Sequence, residues 1–230
     1  MYGNDFFVQN SIAVYKTDKK LIEFRDKLNP SMCDNYAELQ GHDSTNGANK
    51  VYSNIGVILL DYSNGTGNNT IQVSVNIRPE DIFWIQNALL FAKPDFQLEQ
   101  TKIFGYPDQN GYSQMTKINV MRADKDRNGN ARRYQWCISA ENGVGIAQHT
   151  QIGGTYCQSG TYQTQRKAYI NLNDYDMFRL VNRTARYIQQ FENAYCPAVI
   201  RQGRNAYEQM LNQKRMANNG SSLKSVGKNR

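Results

Sequence analysis

From Thr70 to Ile77 the chain alternates apolar and polar residues, with Ile71, Val73, Val75 and Ile77 on one side and Gln72, Ser74 and Asn76 on the other. A period of two with one apolar side predicts a strand of an antiparallel sheet that is buried on one face and wet on the other. Pro79 then stands where a first helical residue is expected, and Glu80 and Asp81 occupy the turn where a helix dipole favours acids. Ile82, Ile85, Leu89 and Ala92 recur at helical spacing, widened by Phe83 and Trp84, and Lys93-Pro94 closes the helix. The same writing returns at Gln165–Phe178: Asn76-Ile77 falls on Asn171-Leu172, and Asp81-Ile82-Phe83 on Asp176-Met177-Phe178, at one fixed offset of 95 residues. A duplicated sheet-plus-helix unit is the expectation.

The remaining pattern fills in two such units. Asp5–Thr17 reads as a strand, Lys19–Leu28 as a strand or short helix, and residues 40–50 as a loop rich in Gly, Asn, Ser and Asp. Val51–Tyr62 pairs with Thr70–Ile77 across the turn Ser63–Asn69. Further on, Phe96–Phe104, Met115–Ala123, Ala131–Ala140 and Tyr162–Leu172 read as strands, with loops at 105–113, 124–130 and 141–161. A helix from Asp174 to Phe191, capped by Asn173 or Asp174, ends the second unit, and a shorter helix from about Ala198 to Met210 follows Cys196-Pro197. The fold class expected is α+β: two antiparallel-sheet-plus-helix (ββββα) repeats, 1–94 and 95–196, packed in one pseudo-symmetric domain. Residues 197–211 form the short C-terminal helix, and 212–230 a basic flexible tail.

Charge is uneven. Residues 1–100 hold 8 basic against 12 acidic side chains, residues 101–200 hold 12 against 7, and residues 201–230 hold 7 against 1. Basic character in the second half points to nucleic acid or another polyanion as partner. Four cysteines (Cys33, Cys137, Cys157, Cys196) lie far apart with only His42 and His149 to join them, which is no zinc pattern and predicts free thiols in a cytoplasmic protein. Apolar runs are far shorter than a membrane span. Asp124–Gly129 matches the first half of a calcium loop, but Gln135 stands where the bidentate Glu is required, so a hairpin turn is expected there. No phosphate-cradling loop, nucleophile signature or cofactor motif occurs, and an enzyme is not expected.

Two sheet-then-helix units, each helix following directly on its last strand, resemble the tandem ββββα arrangement of the Whirly proteins and the related PC4-like coactivator fold. The resemblance covers roughly residues 5–192 and is one of architecture. The Whirly Lys-Gly-Lys-Ala-Ala-Leu signature has no counterpart, and Gln165-Arg166-Lys167-Ala168-Tyr169 is the nearest basic strand segment. The resemblance implies binding of single-stranded nucleic acid on curved antiparallel sheets, with helices packing behind them.

Candidate contacts follow from the mix such binding needs, cations for phosphates and flat rings for unpaired bases. The hairpin of the second repeat supplies Lys117, Arg122, Lys125, Arg127, Arg132 and Arg133, interleaved with Tyr134 and Trp136. Tyr134, Trp136 and Ile138 share one strand face, which either stacks bases or points into the core. Arg166, Lys167 and Tyr169 form a second patch that Tyr162 extends. The expectation is a single-stranded DNA-binding protein of low sequence specificity, DNA favoured over RNA, acting as a homo-oligomer in replication, recombination or repair. The alternative is a structural or assembly protein of a virus or mobile element, or an RNA-binding variant. No metal, cofactor or membrane partner is expected.

Overall fold

A computed structural model describes residues 10–29, 43–46, 49–151 and 154–226. In chain order the elements are β1 (Ser11–Lys16), β2 (Lys20–Lys27), β3 (Asp43–Asn46), β4 (Asn49–Tyr52), β5 (Asn54–Asp61), β6 (Ile71–Ile77), α1 (Pro79–Leu90), β7 (Asp95–Phe104), β8 (Tyr112–Ala123), β9 (Trp136–His149), β10 (Thr155–Cys157), β11 (Gln163–Leu172) and α2 (Asp174–Val226). The chain divides into two compact units, the first drawn from residues up to Lys27 and from Asn54–Tyr187, the second from Leu28–Ser53 and from Ile188 onward.

Antiparallel pairing builds the first unit into two sheets, one ordered β1-β2-β5-β6, the other ordered β7-β8-β9 with both β11 and β10 on the far side of β9. The fold is therefore α+β: among the described residues, antiparallel sheets of four and five strands and a two-stranded β3-β4 sheet accompany two α-helices. The spatial orders β1-β2-β5-β6 and β7-β8-β9-β11 both follow chain order, and the last strand of each leads straight into a helix. Ile77 and Leu172 end the two last strands, and Pro79 and Asp174 begin the two helices. The offset of 95 residues read from the sequence thus relates equivalent structural positions.

Alternation sets what each sheet buries. Cross-strand rows Tyr15–Ile22–Leu59–Val73 and Ala13–Phe24–Val57–Val75 line the first sheet. Rows Ile118–Ala140–Ala168 and Val120–Ile138–Ile170 line the second. Except for Tyr15, all of these side chains are buried, and the helices add Ile82, Ile85, Ala88, Met177, Leu180, Val181 and Ala185. Each Val, Leu, Ile, Met or Phe so enclosed contributes about 1.5–3 kcal/mol through apolar surface removed from water, and each Ala less. Both helix starts are capped as their sequences suggest. The Asp81 carboxylate accepts from the Arg78 N–H at 2.7 Å, and Asn173 Oδ1 accepts from the Asp176 N–H at 2.8 Å.

Several expectations need correction. Residues 40–50, read as a loop, contain β3 and the first half of β4 in the second unit. The strand expected over Ala131–Ala140 begins only at Trp136 and runs on to His149, through the segment read as a loop. Gly143 and Gly145 misled because their role is close approach, not turning. A Cβ at Gly143 would collide with the Gln163 carbonyl oxygen, and one at Gly145 would sit 2.8 Å from Met115 Sδ. The helix expected to stop near Phe191, with a separate one at 197–211 and a flexible tail from 212, is one helix to Val226 that contains Pro197. Proline removes one backbone donor and crowds the carbonyl four residues back, a penalty of about 3 kcal/mol that favours a break. Here the helix continues past it.

Candidate nucleic-acid interface

The five-stranded sheet has two unlike faces. On the inner face one row runs Phe96–Arg122–Trp136–Leu172 across β7, β8, β9 and β11. Trp136 is fully buried, its ring 5.8 Å from that of Phe96, and its indole N–H donates to Asp174 Oδ1 at 2.7 Å. Arg122 is buried as well. Its Nε and Nη2 each donate to the Asp174 carboxylate at 3.1 Å, and Nη1 donates to the Lys93 carbonyl at 2.8 Å and meets Asp124 Oδ1 at 2.7 Å. These bonds from Arg122 hold the Asp174 carboxyl below its ordinary range. Arg122 and Trp136 are thus removed from the nucleic-acid site. A guanidinium with its donors satisfied and an indole in the core lock the start of α2 to the sheet.

The hairpin between β8 and β9 is a built turn. Asp126 Oδ1 accepts from the N–H groups of Asn128 and Asn130 at 2.9 Å each, and Lys125 bridges Ala131. Those bonds explain the aspartates of the calcium-like stretch, and among the described residues no cluster of His, Cys, Asp or Glu is arranged to hold a metal. Lys125, Arg127, Arg132, Arg133 and Tyr134 are exposed here, with the Arg133 guanidinium 5.4 Å from the Tyr134 ring centre. Tyr134 precedes β9 and does not share the fate of Trp136.

Residues of the opposite parity make the outer face. Rows Glu99–Asn119–Ser139–Tyr169 and Thr101–Lys117–Glu141–Lys167 cross all four long strands. Tyr169 is 47 % exposed and Lys167 is exposed, so this face is open to a ligand. Lys117 Nζ lies 3.7 Å from the centre of the Tyr162 ring, and Lys20 Nζ from β2 lies 3.2 Å from that of Tyr169. Cation–ring contacts of this kind fix the ring planes, and Lys20 Nζ also pairs with the Asp61 carboxylate at 3.3 Å. Glu141 is the acid within the second row: Lys167 meets it at 2.6 Å and the Thr164 hydroxyl donates to it at 2.9 Å. Burial raises its pKa, but the bonds from Lys167 and Thr164 outweigh that and hold the carboxyl below its ordinary value.

Burial pushes the Cys137 thiol up, opposed by the nearby charges of Arg132, Lys20 and Lys167. Arg166 is exposed beside the bulge at Gln165. At the far end of this face, Thr101, Ile103, Lys117, Tyr156, Cys157 and Tyr162 border a cleft of about 430 Å³. The Tyr162 hydroxyl is buried without a hydrogen-bond partner, and its pKa is pushed up to about 12 by burial, Glu141 and Cys157.

The fold therefore brings Lys117, Lys167 and Tyr169 to one face, leaves Arg132 exposed in the adjoining hairpin, and sets Arg122 and Trp136 on the other face. Lys20 was missed, because only strand packing places a first-sheet lysine on Tyr169. No family model, curated protein or solved structure matches the chain.

Proposed function

We propose that the chain is a single-stranded nucleic-acid-binding protein of the Whirly and PC4-like kind, low in sequence specificity, that holds its ligand on the outer face of the five-stranded sheet. One observation carries the reading: exposed Tyr169 lies on the outer face with Lys20 over its ring and with Lys117 and Lys167 in the adjacent cross-strand row. Unpaired bases stack on flat rings while lysines and arginines track the phosphates, which requires no base-specific hydrogen bonds. The cleft beside Tyr162 gives a neighbouring base a recess in which the unpartnered hydroxyl finds an acceptor. DNA is favoured over RNA, and the work is binding, not catalysis.

Self-association belongs to the same proposal. Trp84, Leu90 and Phe91 are exposed on and just after α1, and Phe91 is 75 % exposed. A cytoplasmic setting follows the scattered cysteines, and Cys137 and Cys157 are free thiols. No helix among the described residues is long and apolar enough to cross a membrane.

The test is a fluorescence-anisotropy titration of a labelled oligo-dT with the full chain across a salt series. Sub-micromolar binding that weakens in Tyr169→Ala and in Lys167→Gln is expected. Unchanged affinity in both variants would remove the ligand from this face.

A further inference from the structure

Helix α2 carries, on its solvent side within the first unit, a second cluster of the same chemistry. Met177, Leu180, Val181, Thr184 and Ala185 turn into the core. The opposite side therefore exposes Tyr175, Phe178, Arg179, Arg183 and Arg186, with Tyr175 68 % exposed. The three arginines fall at i, i+4 and i+7, so their Cα atoms share one face and span about 10 Å of helix axis. Phe178 and the three arginines line a shallow groove of about 320 Å³ together with Asn182, whose amide oxygen accepts from Gln86 of α1 at 3.3 Å.

Among the described residues no acid forms an ion pair with any of the three guanidiniums. Between Tyr175 and Tyr187 the one acid is Asp176, and it is engaged with Tyr15, whose hydroxyl pKa is raised by burial and by that carboxylate. Like charges one turn apart repel, and the Arg179 guanidinium, 5.7 Å from the Tyr175 ring centre, has a ring and not an acid beside it. An anionic partner supplies what the fold does not.

We propose that this face of α2 is a second nucleic-acid contact, in which Arg179, Arg183 and Arg186 grip consecutive phosphates while Tyr175 and Phe178 meet the bases beside them. Guanidinium forks match phosphate oxygens bidentately, and exposed rings next to them suit bases better than they suit a carboxylate-bearing protein surface. The proposal rests on the reading of the chain as a nucleic-acid binder, and gives it two separate surfaces in place of one.

The experiment compares the full chain with two variants, R179Q/R183Q/R186Q on the helix and Y169A/K167Q on the sheet, using labelled oligo-dT across a salt series. Circular dichroism melts confirm that both variants fold. Removing three phosphate contacts to a single strand should flatten the slope of log affinity against log salt by roughly 2 in the helix variant, and removing one should flatten it by roughly 0.7 in the sheet variant. A wild-type slope in the helix variant overturns the inference. If binding then falls only in the sheet variant, the sheet reading stands alone. If the slope falls in the helix variant while Y169A/K167Q binds as wild type, the helix contact stands and the sheet reading fails. Loss of binding to phosphatidylserine vesicles in the helix variant, with the oligonucleotide slope unchanged, would assign the face to an anionic membrane and overturn the inference.

Discussion

On the inner face of the five-stranded sheet Arg122 lies beside Trp136, its ring-centre distance 6.0 Å; on the outer face Lys117 lies over Tyr162 and Lys20 over Tyr169. Both faces pair a cation with an aromatic ring, and they use the pair for opposite ends. Inside, Asp174, Asp124 and the Lys93 carbonyl consume the guanidinium's donors, and the indole N–H is spent on Asp174 too. Outside, the Thr101–Lys117–Glu141–Lys167 row has one acid for two lysines, and Lys167 stays 58 % exposed. Residue type does not separate the two faces. What differs is that Arg122 has acceptors for its donors in Asp174, Asp124 and the Lys93 carbonyl, while Lys117 and Lys167 share one acid.

Truncation should show the contrast at its largest. Trp136→Ala removes a fully buried ring and should lower unfolding free energy by about 3–5 kcal/mol in urea titrations, leaving oligonucleotide affinity of the folded fraction unchanged. A loss of affinity without loss of stability would return Trp136 to the ligand. Asp174→Ala leaves the buried Arg122 with Asp124 as its remaining acid and strips the indole of its acceptor, so a loss of about 2 kcal/mol is expected. The pH dependence carries a definite sign. The Asp174 carboxyl is held below its ordinary value by Arg122, so its stabilisation is complete above the ordinary carboxylate range and disappears as pH falls through the lowered value. Urea midpoints measured from neutral pH downward should fall more steeply in wild type than in Asp174→Ala. Parallel curves would mean that the carboxylate contributes no linkage.

The outer face should behave the other way. Tyr169→Ala should weaken single-strand binding by roughly 5- to 150-fold, the worth of one stacked base, while shifting stability by no more than about 0.5 kcal/mol. Equal losses in binding and stability would make Tyr169 a packing residue and remove the distinction between the faces.

What was legible follows the same division. Period-two alternation with a helix start at Pro79 or Asp174 located both strand-to-helix units, because burial of one face leaves its mark on every second residue. Alternation also put Trp136 on one face with Ile138, but which face is wet depends on what packs behind it, and Asp174 lies 38 residues away in sequence. Arg122 counted as a binding cation for the same reason: its acid partner comes from another element. Gly143 and Gly145 hid the second half of β9, since a glycine admitting a crossing strand and a glycine making a turn are the same letter. The triplet Arg179, Arg183 and Arg186 was not singled out from the sequence, because its exposure depends on which side of α2 packs into the core.

The smallest effect tests the contrast most finely. Glu141 holds Lys167 at 2.6 Å on the outer face, as Asp174 holds Arg122 on the inner one. Glu141→Gln keeps an oxygen for the Thr164 hydroxyl and removes a negative charge from the path proposed for the phosphates. A half-exposed pair of this kind is worth about 0.2–1 kcal/mol, so stability should change little. Affinity for oligo-dT should rise by roughly two- to fivefold, because Lys167 and Lys117 then face the ligand without a competing carboxylate. Urea titration and anisotropy on the same sample measure both quantities. A fall in affinity would show that Glu141 positions Lys167 for the ligand instead of competing with it. The outer face would then depend on its own acid just as the inner face depends on Asp174, and the supply of acceptors would no longer distinguish the two faces.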